Sequence, residues 1–161
     1  MDKIEELLNN PGTGLQKQAL TDKSYKKTSN NQDCKINFEL ATYGDAILKC
    51  ALCKIYFERE NKDNFGFKDK LTEWKKQYES DEVLVKFIAC HYDILKILNF
   101  DRDDTKKPHD YDYHGKNAKR RYKYIATAME ACIAAVYIEN GENEVIEIVK
   151  QWIKLIDESK P

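Results

Sequence analysis

Two predicted helices of this chain each hold one carboxylate on an otherwise apolar face of small residues. Asp45 lies within NFELATYGDAIL (residues 37–48), and Glu130 lies within KYIATAMEACIAAVYIE (residues 123–139). Both segments place apolar residues three or four positions apart, which predicts helices with one buried face. Carboxylates that project from two facing helices to a common point can hold a hard cation such as Mg²⁺. The alternative is structural, because each acid could instead pair with a neighbouring lysine.

The elements that must position these acids are helices, because strand patterns are nearly absent. Two short helical elements are predicted before residue 26. The longer predicted helices cover residues 36–58, 68–78, 80–91, 116–138 and 144–156. Ser80 is the predicted N-cap of the third of these. Residues 26–35 and 101–115 are predicted polar loops, and the whole chain, residues 1–161, is predicted to form one all-α domain.

Composition limits the class of protein. The 161 residues are 42% apolar and 34% charged, with a net charge of −1, which predicts a globular chain rather than a disordered one. No apolar run is long enough to cross a membrane, and residues 1–10 are too polar for a secretion signal, so a cytoplasmic protein is expected. The five cysteines are predicted to be reduced thiols. Cys50 and Cys53 are predicted to pack on a buried helix face rather than to bind zinc.

A run of positive charge precedes the second acidic segment. It comprises Lys116, Lys119, Arg120, Arg121 and Lys123. Such a run is either a solvated helix face or a set of contacts to the phosphates of a nucleic acid.

Three segments, in this order, resemble one known family. Residues 18–25 (QALTDKSY) are similar to its signature Q-A-L-T-H-R-S-Y, with Asp22 and Lys23 at the His and Arg. Residues 37–48 resemble its N-E-R-L-E-F-L-G-D-A-V-L, and residues 123–139 follow K-I-L-A-D-A-F-E-A-L-I-G-A-I-Y-L-D. Together they resemble the endonuclease domain of the ribonuclease III family across nearly the whole chain.

The resemblance implies an all-α endonuclease domain, free-standing and without the family's double-stranded-RNA-binding domain. It implies hydrolysis of phosphodiesters in double-stranded RNA, with four carboxylates on two helices holding magnesium and an activated water. It also implies that the basic run, from Lys116 to Lys123, lies beside the RNA. The expected catalytic and metal-binding residues are Asp45 and Glu130.

The departures from the family concern the other two acids. Their positions hold Ala41, which cannot bind a metal, and Thr127, whose neutral hydroxyl is a weak ligand. Losing two negative charges is expected to slow hydrolysis by about 10²- to 10⁴-fold. Mg²⁺ or Mn²⁺ is therefore expected to bind weakly, unless a loop acid, Asp110 or Asp112, moves into the site.

Two functions follow, and the sequence leaves both open. The first is a weakly active ribonuclease acting in RNA processing; the second is a non-catalytic RNA-binding or scaffold protein with the same fold. The resemblance implies a homodimer, or a hetero-partner that also has a ribonuclease III fold. Thr42 stands at the family's bulky aromatic position, so the usual dimer contact is altered here.

Overall fold

A computed structural model describes residues 2–10, 14–29, 33–59, 68–102 and 106–160. Within these ranges the chain is helical, and its one β pairing there is an isolated bridge between Thr21 and Asn99. The predicted all-α class is confirmed. None of the helices in the described ranges is long and apolar enough to cross a lipid bilayer.

The helices run in chain order as follows. They are α1 (Lys3–Asn9), α2 (Gly14–Ala19), α3 (Lys23–Thr28), α4 (Phe38–Arg59), α5 (Lys68–Glu79), α6 (Asp81–Val83), α7 (Ala118–Asn140) and α8 (Glu142–Glu158). A π-helical turn, Leu84–Ala89, continues directly from α6, and single 3₁₀ turns cover Ile94–Lys96 and Pro108–Asp110.

The long helices match their predicted ranges within about two residues, whereas the loops differ more. The predicted loop 26–35 is shorter, because α3 extends to Thr28, and residues 30–32 lie outside the described ranges. The predicted loop 101–115 contains the turn Pro108–Asp110, and its residues 103–105 are likewise outside them. Lys116 precedes α7 instead of beginning it.

A close crossing of α4 and α7 forms the centre of the core. Gly44 of α4 lies so near α7 that a Cβ atom there would come within 1.8 Å of the Glu130 carbonyl oxygen. Only glycine permits this approach, since real Cβ atoms do not come within 3 Å of other atoms. The small residues of α7 serve the same packing, with Ala131, Ala134 and Ala135 fully buried. The crossing brings residues 45 and 130 to the same side of the helix pair.

Polar caps fix the ends of the shorter helices. The Ser80 hydroxyl accepts a hydrogen bond from the Val83 N–H at 3.3 Å, so the predicted N-cap is confirmed. Asp22 caps α3 by accepting from the Ser24 N–H at 3.0 Å. This gives Asp22, which departs from the family signature, a structural role.

The prediction for Cys50 was wrong. Cys50 is exposed and Cys53 is only partly buried. The inward face of α4 carries Leu48, Leu52 and Ile55, all nearly fully buried. Position 50 lies about 200° around the helix from Leu48, so its side chain points to the opposite face.

Candidate functional site

A groove of about 520 Å³ lies between α4, α7 and the junction of α5 with α6. We call it the carboxylate groove. Its lining residues are Phe38, Ala41, Thr42, Asp45, Lys49, Lys76, Glu79, Ser80, Asp81, Lys119, Lys123, Thr127 and Glu130. Both acids singled out from the sequence, Asp45 and Glu130, lie in it together.

Two further acids of the groove were missed by the sequence analysis. Glu79 ends α5 and Asp81 begins α6, on either side of the Ser80 cap. Acidic residues at the start of a helix are common, because they interact favourably with its dipole, so the pattern gave no specific signal. Only the packing of this junction against α7 brings these carboxylates to the groove.

Lysines pair with the carboxylates. The Lys49 ammonium lies 2.6 Å from Asp45 Oδ2. Asp81 Oδ2 lies 2.8 Å from the Lys119 ammonium and 3.9 Å from that of Lys123. With Lys76, four ammonium groups and four carboxylates line the groove, whose formal charge is therefore zero. The sequence left two roles open for Asp45, metal binding and pairing with a lysine. In the structure Asp45 pairs with a lysine.

Glu130 is partly buried in the groove. Burial raises its pKa to about 7, and the negative charges of Asp45 and Asp81 act in the same direction. Lys123 and Lys49 oppose this rise. The protonated form of Glu130 is therefore favoured relative to that of an exposed glutamate.

The two substituted positions also line the groove, but neither supplies charge. Ala41 is 4% exposed and has no donor or acceptor in its side chain. The Thr127 hydroxyl donates a hydrogen bond to the Lys123 carbonyl oxygen at 2.9 Å. The loop acids do not replace them, because Asp110 pairs with His109 at 3.3 Å and Asp112 accepts from the His114 N–H at 3.1 Å. Neither loop acid lines the groove.

These residues do not fit the metal site that the family implies. Asp45 already has a lysine partner, and the two remaining positions carry no charge. Among the described residues, no three His, Cys, Asp or Glu side chains are grouped so as to hold a metal ion.

A second cavity, of about 430 Å³, adjoins the first and shares Phe38, Lys123 and Thr127 with it. We call it the cationic pocket. Its lining residues are Asp22, Lys23, Asn37, Phe38, Arg102, Arg120, Lys123, Tyr124 and Thr127. Four cations here face a single acid, Asp22.

The basic run divides between these two cavities. All five of its side chains are exposed. Lys119 lines the groove, Arg120 lines the pocket, and Lys123 lines both. Lys116 and Arg121 line neither cavity.

Comparison with known proteins identifies the family of the chain. The sequence model of the family described as Ribonuclease-III-like matches residues 13–156. The chain belongs to this ribonuclease III-like family. Curated proteins named Ribonuclease 3 are similar to it: that of Nitratiruptor sp. is 27% identical over 147 residues, or 91% of this chain and 55% of that protein. The Ribonuclease 3 of Histophilus somni is 26% identical over 164 residues, or the whole chain and 65% of that protein.

The ribonuclease III-like chain thus spans between about half and two thirds of the length of these relatives. No solved structure gives a significant match.

Proposed function

We propose that this chain binds double-stranded RNA through its ribonuclease III-like fold without cleaving it. The observation that carries the proposal is the Lys49 ammonium, 2.6 Å from Asp45, in a groove that lacks acids at positions 41 and 127. A protonated amine can attract a phosphate, but it cannot polarise a water as a metal ion does. The binding function therefore needs no metal.

The charge of the groove supports binding without hydrolysis. Four carboxylates without counter-charge would repel the phosphates of RNA, whereas this groove is neutral. Beside it, the exposed side chains of the basic run offer a positive surface to the sugar–phosphate backbone. Because such contacts release bound counter-ions, the affinity is expected to fall steeply as salt concentration rises.

We further propose that the chain pairs with a second ribonuclease III fold, either a copy of itself or a different chain. Tyr43 and Phe57 of α4 and Ile138 of α7 are 46%, 43% and 50% exposed. Tyr43 also contacts Tyr137 edge to face, with ring centroids 5.8 Å apart. Exposed apolar side chains of this kind suit a protein partner. The mass of the complex in light scattering distinguishes a monomer from a homodimer.

A cytoplasmic location, in RNA processing, completes the proposal. All five cysteines are unpaired, which suits a reducing compartment.

Restoring the two missing acids tests the proposal. Wild-type protein and the double variant Ala41→Glu, Thr127→Asp are incubated with a labelled RNA duplex in millimolar Mg²⁺. We expect both to bind the duplex, and only the double variant to cleave it. Adding Lys49→Asn to the double variant tests whether the Lys49 ammonium hinders metal binding at Asp45. We expect this triple variant to cleave faster than the double variant.

The alternative within the family is weak metal-assisted cleavage by the two acids that remain. It predicts slow cutting by the wild type, stimulated by Mn²⁺ and lost in Glu130→Gln. Wild-type cleavage as fast as that of the double variant, abolished by Asp45→Asn, would overturn the proposed loss of activity. Failure of the wild type to bind any duplex, even at low salt, would overturn the proposed binding.

A further inference from the structure

We propose that the cationic pocket holds one unpaired nucleotide of the bound RNA, with its base on the Phe38 ring and its phosphate beside Arg120. The inference rests on the proposed function, because it assumes that the ligand of this surface is RNA. The pocket would give the protein a higher affinity for duplexes that carry an unpaired nucleotide than for fully paired duplexes. The groove provides no such preference.

The charge of the pocket calls for an anionic ligand. Lys23, Arg120 and Lys123 are exposed, and Arg120 has no ion-pair partner among the described residues. The single acid, Asp22, is 4% exposed and caps α3, where it also accepts a hydrogen bond from the Ser24 hydroxyl at 2.5 Å. Its ion-pair partner is Arg102, so Lys23 and Arg120 are left without an acidic partner among the described residues. A phosphate group meets this requirement.

Phe38 supplies an aromatic surface at the same place. Its side chain is 66% exposed, more than any other large apolar side chain in the described ranges. A single exposed phenylalanine is ordinary on a protein surface. This one lines a cavity with four cations, and aromatic rings beside basic groups are the usual means of binding an unstacked base and its phosphate.

Arg102 adds a second planar group. Its guanidinium carbon lies 4.4 Å from the centroid of the Tyr124 ring, and its Nε lies 3.5 Å from Asp22 Oδ2. Tyr124 is itself buried, and its hydroxyl lies 3.3 Å from that of Tyr111. The guanidinium is thus held by contacts on the protein side of the pocket, which gives it a defined orientation toward a ligand.

Asn37 provides independent support for a ligand. Its side chain is 2% exposed and lines the pocket, yet the Nδ2 group has no hydrogen-bond partner within the described part of the chain. The Asn37 backbone is satisfied, since its N–H donates to Thr21 O at 2.9 Å and its carbonyl accepts from the Ala41 N–H at 2.8 Å. A buried amide without a partner is costly. A base carbonyl or phosphate oxygen in the pocket would accept this hydrogen bond.

The concave shape selects an unpaired nucleotide. Its volume, about 430 Å³, lies within the range of small-molecule sites and is too small for a base pair with both backbones. A base inside an A-form helix is stacked on both faces and cannot reach a side pocket. The ligand is therefore an overhanging, bulged or flipped nucleotide, which costs least to unstack when it is already unpaired.

A mononucleotide tests the pocket without any duplex. Uridine 5′-monophosphate and uridine are titrated into the full-length protein, and binding is followed by amide NMR shifts. We expect the nucleotide to bind more tightly than the nucleoside and to shift the signals of Asn37 and Lys123. Phe38→Ala should weaken binding about tenfold, while Phe38→Tyr retains it, because stacking contributes about 1–3 kcal/mol per base. Ile97→Ala, which removes another exposed large apolar side chain outside both cavities, is the control.

A pair of duplexes tests the RNA preference. We compare a blunt duplex with the same duplex carrying one unpaired 3′ nucleotide, and expect about tenfold tighter binding of the second, lost in Phe38→Ala. Equal affinities would overturn the inference and leave the proposed duplex binding intact. Binding of neither duplex, with the mononucleotide held in a Phe38-dependent manner, would instead overturn the proposed function and retain the pocket. No mononucleotide shift in the pocket and no duplex preference would overturn the inference.

Discussion

The carboxylate groove and the cationic pocket share three residues, yet they differ in the balance of acidic and basic side chains that line them. In the groove, four carboxylates face four ammonium groups. In the pocket, four cations face one acid, and that acid caps a helix. Arg102 pairs with Asp22, and the Lys123 ammonium lies 3.9 Å from Asp81, whereas Lys23 and Arg120 have no ion pair among the described residues. A cation that already pairs with a carboxylate gains less from an incoming phosphate than an unpaired cation does. The capacity to bind a new anion therefore lies mainly with Lys23 and Arg120 of the pocket.

The glycine beneath the crossing of α4 and α7 supports both cavities, so its replacement gives the largest expected effect. We expect Gly44→Val to lower the free energy of unfolding by about 3 kcal/mol, because its Cβ would overlap the Glu130 carbonyl. Gly14→Ala is the control, since a Cβ there meets no atom within 4 Å. Urea denaturation followed by circular dichroism measures both. A Gly44→Val midpoint equal to that of Gly14→Ala would show that the helices separate without cost.

The groove contains a carboxyl, that of Glu130, whose pKa burial raises toward neutrality. The pKa of Glu130 rises from 4.5 to about 7 on folding, so the folded chain binds a proton more tightly than the unfolded chain. Its contribution to stability is present below pH 4.5 and is lost as pH rises toward 7 and beyond. Allowing for partial exposure and screening, we expect a loss of about 1–2 kcal/mol between pH 4.5 and 8.

Urea denaturation at several pH values measures this loss. Glu130→Gln removes the titrating group, and we expect the difference in stability between variant and wild type to shift in favour of the variant as pH rises. A difference that does not change with pH would contradict the raised pKa.

Substitutions of two neighbouring cations of α7 distinguish the contributions of the two cavities to RNA binding. Arg120 lines the pocket and has no ion pair among the described residues, whereas Lys119 lies 2.8 Å from Asp81 in the groove. We expect Arg120→Ala to weaken RNA binding by about fivefold and to reduce the salt slope by about one. Lys119→Ala should have a smaller effect. Fluorescence anisotropy over a range of salt concentrations measures both, and equal effects would erase the distinction between the two cavities.

The smallest expected effect concerns the internal pairing of the groove. Lys49 lowers the pKa of Glu130 through its positive charge, so Lys49→Gln should raise that pKa slightly further. Lys54→Gln is the control, because Lys54 is also on α4 but pairs with Glu142, 2.5 Å away. Carboxyl ¹³C NMR titration reports the change. A lower Glu130 pKa in Lys49→Gln than in the wild type would show that the Lys49 charge does not lower the pKa of Glu130.

Much of the fold follows from sequence periodicity. The apolar period predicts α4 and α7 within about two residues at each end. The meeting of Asp45 and Glu130 is instead implied by the resemblance to the ribonuclease III family. The Ser80 cap is equally local, because its partner, the Val83 N–H, lies three residues away. Local patterns of this kind need no knowledge of the rest of the chain.

The rest depends on contacts between distant segments. Glu79 and Asp81 enter the groove because the α5–α6 junction packs on α7, and no spacing within either segment encodes that contact. Phe38 likewise begins an amphipathic helix, but its place between two cavities depends on α7 and on Arg102. Cys50 shows that prediction can fail even within one helix. The apolar composition around Cys50 suggested burial, but its position around the helix axis places the side chain on the exposed face.

The contact of Gly44 with the Glu130 carbonyl also bears on how such a chain changes over generations. The helix backbones, not the acids, hold α4 against α7. Position 44 tolerates almost no change, so the distance between α4 and α7 depends on this glycine and not on which acids the chain carries. Ala41, although buried, lines the groove, so an acid at that position would extend into it. The spacing of the two helices can therefore persist in descendants whose acids differ.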